Sequence, residues 1–140
     1  MLEELRISGL GVICDATLPL GRGLTVITGE TGAGKTMVVA GLGLLFGGRG
    51  DAARVRADPG RAVVEGHLSL TGEIDQAVRR RLDEAGADAG AGSDDGSLLL
   101  TRVVTAEGRS RAHVGGRTVP VAVLGEIGRA SCRERVCELV

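Results

Sequence analysis

Residues 24–36 leave this chain little choice of local fold. An apolar run, Leu24-Thr25-Val26-Ile27-Thr28, leads into Gly29-Glu30-Thr31-Gly32-Ala33-Gly34-Lys35-Thr36 and then into the apolar stretch Met37 to Phe46. The middle octet satisfies Gly-x-x-x-x-Gly-Lys-Ser/Thr in full, between a strand candidate and a helix candidate, as that pattern requires. Glycines at 29, 32 and 34 let the backbone curl tightly with its N–H groups inward. With the helix N-terminus they make a preorganised cup for an anion. Lys35, the only lysine in the chain, can reach β- and γ-phosphates as a point charge, and the Thr36 hydroxyl can sit on Mg2+. All eight residues from Gly29 to Thr36 are candidate nucleotide-binding residues, and Thr36 is the metal-ligand candidate. A chance glycine-rich turn before a core helix is the plain alternative; full agreement in the right context weighs against it.

At 140 residues the chain is long enough for one domain that buries roughly two-thirds of its extended surface. Apolar residues make up 43%, which suits a folded core and argues against general disorder. With one Phe, no Trp and no Tyr, that core is aliphatic, and aromatic platforms for stacking bases are missing. A net charge of -1 excludes a bulk positive field for nucleic acid. Glu3 and Glu4 stand where a signal peptide would be basic, and the Met37–Phe46 stretch is too short to span a bilayer. The expected partners therefore include no membrane, and the expected location is cytoplasmic. Three cysteines, two of them near the C-terminus, make no disulfide framework.

Leu5–Ile7, Val12–Ile13 and Ala16–Leu20 read as short strands separated by glycine turns. Leu24–Thr28 reads as a central strand covered on both faces, because its apolar run is nearly continuous. Lys35–Phe46 is apolar all round, which implies a helix buried within something larger, and Gly41 and Gly43 suggest close backbone packing. Residues 47–61 form a glycine- and arginine-rich loop. Ala62–Leu70 alternates as a strand, while Ile74, Ala77, Val78, Leu82 and Ala85 mark a helix face. Gly86–Ser97 is a loop. Leu98–Thr105 and Ser110–Val114 pair around Gly108, Gly115-Gly116 turns into Arg117–Val119, and Pro120 opens a helix with Val121, Leu124 and Ile127.

Hydrolysis needs more than a phosphate loop: an acid to hold Mg2+ and a group to orient water. Asp15 ends a short apolar run but lies upstream of the loop. Leu98-Leu99-Leu100 is followed by Thr101 and Arg102 and supplies no acid. Leu68–Glu73 only faintly echoes an ABC signature motif. His67, His113, Cys14, Cys132 and Cys137 lack zinc spacing, and Cys14 reads as a small core residue. Arg49, Arg54 and Arg56, with Arg61 beyond, are candidate contacts to DNA phosphates or across a dimer; a solvated arginine-rich surface fits them as well. Arg109, Arg111 and Arg117 would form a second basic strip if they share a hairpin face. Arg79-Arg80-Arg81 reads as a solvated helix face.

The whole pattern resembles the N-terminal part of the RecN family, bacterial DNA-repair ATPases related to SMC proteins. Met1–Ile7, Gly23–Thr36, Leu42–Arg49, Val63–Gly66 and Gly108–Val114 with Gly116-Arg117 carry the likeness, over about residues 1–127; Gly115 stands where Asn is usual. The resemblance implies an α/β P-loop NTPase fold, the N-terminal half of an ABC/SMC-type head with a mixed sheet, an antiparallel layer lying beside a parallel core. It implies ATP and Mg2+ as cofactors, DNA as a partner, a missing C-terminal ATPase half, a homodimer and a nucleoid-associated place of work. In the family that C-terminal part brings the signature motif, the Mg2+ acid and the catalytic glutamate.

Residues 1–128 are then the N-terminal lobe of the head. Residues 129–140 depart from the pattern as an atypical tail, as a truncated or frame-shifted product would. The expected function is the ATP-Mg2+ binding part of a double-strand-break repair and recombination ATPase, incomplete for hydrolysis alone. A non-catalytic nucleotide-binding or interaction module, or a small P-loop kinase, are the alternatives.

Overall fold

A computed structural model describes residues 1–30, 32–70, 73–86 and 96–133. Two strands, β1 (Leu2–Leu10) and β2 (Ile13–Pro19), precede helix α1 (Ala33–Leu45). A 3-10 turn, Ala52–Arg54, leads to β3 (Arg61–Ser69) and α2 (Glu73–Glu84). Then come β4 (Ser97–Thr105), β5 (Ser110–Val114), β6 (Arg117–Val119) and α3 (Val121–Arg133). The strands form one six-stranded sheet in the order β2-β1-β3-β4-β5-β6, and every neighbouring pair is antiparallel.

Side-chain alternation sorts the sheet into two faces. One cross-strand row runs Ala16, Ile7, Val64, Arg102, Ala112, Val119. The row beside it, on the opposite face, runs Thr17, Arg6, Glu65, Thr101, His113, Thr118. The first face carries the helices. Its core joins Leu5, Ile7, Leu68, Leu100 and Val104 to Leu44 and Leu45 of α1 and to Leu124 and Ile127 of α3. Helix α2 adds Val78 and Leu82, both buried.

Two glycines let α1 come down close to the sheet. A Cβ on Gly41 would stand 2.6 Å from Ile7 Cδ1, and one on Gly66 of β3 would collide with Leu45 Cδ2. Gly41 therefore packs tightly as expected. Gly43 does not, since the space beside it is open.

Several expectations change. The segment Leu24–Thr28 is not a strand. Leu24 is 90% exposed and Val26 66%, because no strand among the described residues lies alongside to complete its ladder. The parallel core expected beside the antiparallel layer is accordingly not formed among these residues. Val12–Ile13 and Ala16–Leu20 merge into one strand, β2. Cys14 is exposed rather than in the core: it lies on β2, an edge strand of the sheet. Helix α3 runs past residue 128 to Arg133, so the expected boundary at 128/129 coincides with no break in secondary structure.

Candidate nucleotide-binding loop

The loop joins an exposed segment, residues 21–30, to the N-terminus of α1. Gly32 is the N-cap, in extended backbone at φ -162° and ψ 162°. It has no side chain to cap with, and the first turn of α1 contains no acid. The first-turn N–H groups, which no helix satisfies internally, thus have no side-chain competitor for an incoming anion. Lys35 Nζ donates to the Gly29 carbonyl at 2.6 Å, holding its ammonium at the start of the loop. Thr36 is exposed. Thr31 lies outside the described residues, and Ala33 is the first residue of α1.

The glycines act differently from expectation. None of Gly29, Gly32 and Gly34 has a positive φ; that conformation falls elsewhere, for instance at Gly9 and Gly11 of the β1–β2 turn. A Cβ at Gly29 or Gly34 would meet nothing within 4 Å. Here the missing side chains leave backbone amides approachable, which is what close contact with a phosphate demands.

The three arginines expected at a DNA or dimer surface are treated unequally. Arg49 is exposed. Arg54 is exposed and lies 3.6 Å from Asp51. Arg56 is turned inward: its Nη1 donates to the Gly11 carbonyl at 3.0 Å, while its own N–H donates to the Gly9 carbonyl at 2.9 Å. Gly11 N–H in turn donates to the Arg54 carbonyl at 2.6 Å. Arg56 is thus a clamp on the β1–β2 turn, which corrects its expected place on an open surface. Leu10, Ala40 and Leu44 floor a cleft of ≈ 220 Å³ between α1 and this segment, with Arg49, Asp51 and Arg54 at its rim.

The second basic strip does not assemble. Arg111 pairs across from Val103, and Arg117 from Val114, so alternation puts the two arginines on opposite faces of the sheet. Arg79, Arg80 and Arg81 are exposed, and Arg81 Nη1 donates to Glu84 at 2.9 Å. Asp15 is occupied on the face away from α1. It accepts from Arg6 Nε at 3.1 Å and from Arg6 Nη2 at 3.0 Å. The Arg6 guanidinium holds its carboxyl below the usual carboxylate range. By alternation its side chain points away from the face that carries α1. Among the described residues no cluster of three His, Cys, Asp or Glu side chains is placed to hold a metal ion, and no helix is long and apolar enough to cross a membrane.

Sequence reasoning overlooked Arg102, the buried charged residue of the helix-facing row. The signal was present: Leu98, Leu100 and Val104 alternate with it on one face, so period 2 alone buries position 102. Burial pushes its guanidinium below its ordinary range.

A helix entered through a glycine-rich lysine loop and backed by this sheet defines the P-loop ATPase fold of SMC heads and RecF. An SMC ATPase structure described for ATP-driven dimerization and DNA-stimulated activation superposes with TM-score 0.67 at 19% identity, over 93% of this chain and 78% of that one. The recombination mediator RecF bound to ATPrS gives TM-score 0.62 at 17% identity, over 91% and 29%. At the level of family, residues 4–114 match the AAA domain family, and the chain belongs to it. Among curated proteins, the DNA repair protein RecN of Streptomyces coelicolor is 58% identical over 123 residues, 88% of this chain and 20% of that protein. The resemblance to the N-terminal part of RecN is thereby confirmed, and the chain spans about a fifth of the length of the curated relatives it matches.

Proposed function

We propose that this chain is the ATP-Mg2+ binding part of a RecN-type ATPase for DNA double-strand-break repair and recombination, incomplete for hydrolysis alone. The observation that carries the reading is the full phosphate-loop pattern at an uncapped helix N-terminus, with the Lys35 ammonium at its mouth. In it, residues 29–36 cradle the phosphates by backbone amides, Lys35 neutralises β- and γ-oxygens, and Thr36 contributes its hydroxyl to Mg2+. Among the described residues no acidic cluster is placed to hold the metal, and Asp15 is engaged with Arg6 on the face away from α1.

Chemistry then awaits a C-terminal ATPase half, for which two apolar features leave room. Leu24, Val26 and Ile27 are exposed, and so is Val39 on the outer side of α1. Arg49 and Arg54 remain the candidates for contact with DNA or a second head, and the working location is the cytoplasm at the nucleoid. A non-catalytic nucleotide-binding module is the second reading, favoured by the same lack of an acidic cluster among the described residues. The small-kinase alternative has no support in a fold matching SMC heads and RecF.

Calorimetric titration of the chain with Mg-ATP tests the proposal. Saturable binding that Lys35→Ala abolishes is expected, with negligible turnover of ATP. Unchanged binding by Lys35→Ala would remove the phosphate-loop assignment, and robust turnover would remove the claim of incompleteness.

A further inference from the structure

Arg102 is 3% exposed and is the buried charged side chain among the described residues. On the helix-facing row it lies between Val64 and Ala112, where a leucine or valine would fill the space without desolvating a charge. Burying a guanidinium is costly unless its donors are used. Among the described residues no carboxylate forms an ion pair with it. Its Nε donates to Ser110 Oγ at 2.8 Å, and its Nη1 donates to the Leu44 carbonyl at 3.0 Å.

Leu44 belongs to the last turn of α1, where carbonyls lack intrahelical partners and the helix dipole is negative. The same carbonyl accepts the Gly47 N–H at 3.2 Å. The compensation for the buried cation is therefore the carbonyl end of the helix whose other end carries Lys35 and Thr36. This contact is directional, whereas Gly41 against Ile7 and Leu45 over Gly66 are apolar. A slide of one residue, about 1.5 Å along the axis, would carry the Leu44 carbonyl away from its donor.

We propose that Arg102 is a positioning residue for the phosphate loop. By fixing the carbonyl end of α1 against β4 and β5, it sets where the amino end of the helix meets a triphosphate. The inference rests on the nucleotide-binding reading above and extends it to a side chain that touches no nucleotide.

The test compares Arg102→Met, Arg102→Lys and, as a stability-matched core control on β6, Val119→Ala, all in the whole chain. Mg-ATP affinity is measured by calorimetry and corrected for the folded fraction. Amide exchange at residues 37–40, the first hydrogen-bonded turn of α1, is followed without nucleotide. Arg102→Met should weaken binding about tenfold, on the order of one charged hydrogen bond, and speed exchange at residues 37–40. Arg102→Lys, still able to reach one acceptor, should recover part of both, while Val119→Ala should leave corrected affinity unchanged. Affinity within twofold of the parent in Arg102→Met overturns the proposal, as does an equal loss in Val119→Ala. Should the parent chain bind no ATP, the nucleotide reading fails, and exchange alone then decides: unchanged exchange in Arg102→Met overturns the positioning role.

Discussion

Two glycines on α1, separated by one residue, should respond to alanine with opposite sign. In a helix interior, alanine is favoured over glycine by about 1 kcal/mol. At Gly43 a new Cβ meets nothing within 4 Å, so Gly43→Ala should realise that gain nearly in full. At Gly41 the Cβ would stand 2.6 Å from Ile7 Cδ1, about 1 Å inside a comfortable carbon–carbon contact. Ile7 is 0% exposed and cannot swing into solvent. Overpacking of this kind costs roughly 1–3 kcal/mol, so Gly41→Ala should lose about 1 kcal/mol net. The two variants then differ by about 2 kcal/mol, or about 1 M in urea midpoint for a slope near 2 kcal/mol/M. With no Trp or Tyr in the chain, far-UV circular dichroism is the appropriate probe. If both substitutions move the midpoint in the same direction, the account of how α1 seats on the sheet is wrong.

Gly9 has φ 70°, and a Cβ there would collide with the backbone carbonyl of Arg61, so Gly9→Ala should cost about 3 kcal/mol in urea unfolding. Arg56→Met should cost about 1–2 kcal/mol through the lost bond to the Gly11 carbonyl; a neutral result would return Arg56 to the open surface. Asp15 has a depressed pKa in the folded chain, so its contribution is present above the unfolded carboxylate pKa and is lost as pH falls through the folded value. Asp15→Asn should flatten the acid limb of stability between roughly pH 5 and pH 2. Because the pair with Arg6 is exposed, the effect should shrink in 1 M salt. An unchanged acid limb would mean the pair contributes nothing.

Strands β3 to β6 were legible because their alternation and glycine turns are local signals that the final sheet also uses. Val64 and Leu68 fall on the buried face as written, and Gly115-Gly116 makes the turn that Arg117–Val119 requires. The glycine-rich loop leading into α1 was legible from its spacing. Leu24–Thr28 was misjudged because apolar content reports a preference for extended, covered backbone, while a strand also needs a neighbour to supply N–H and C=O partners. Arg111 and Arg117 show the cost of judging residues singly: their faces follow from parity within the sheet. Arg56 and Arg102 were hard for a further reason. Nothing local distinguishes an arginine that faces water from one whose donors end on the carbonyls of a distant turn or helix, 45 and 58 positions away along the chain.

The uncovered connection between β2 and α1 makes the backbone there an open target for proteases, with Leu24 90% exposed. A cut at that point need not separate the pieces. The severed amino-terminal hairpin would still be gripped by the β1–β3 ladder and by the bonds from Gly11 and Arg56. Nicked chain should therefore travel through a sizing column as one body and split only in denaturant, an opening for rebuilding the domain from two peptides.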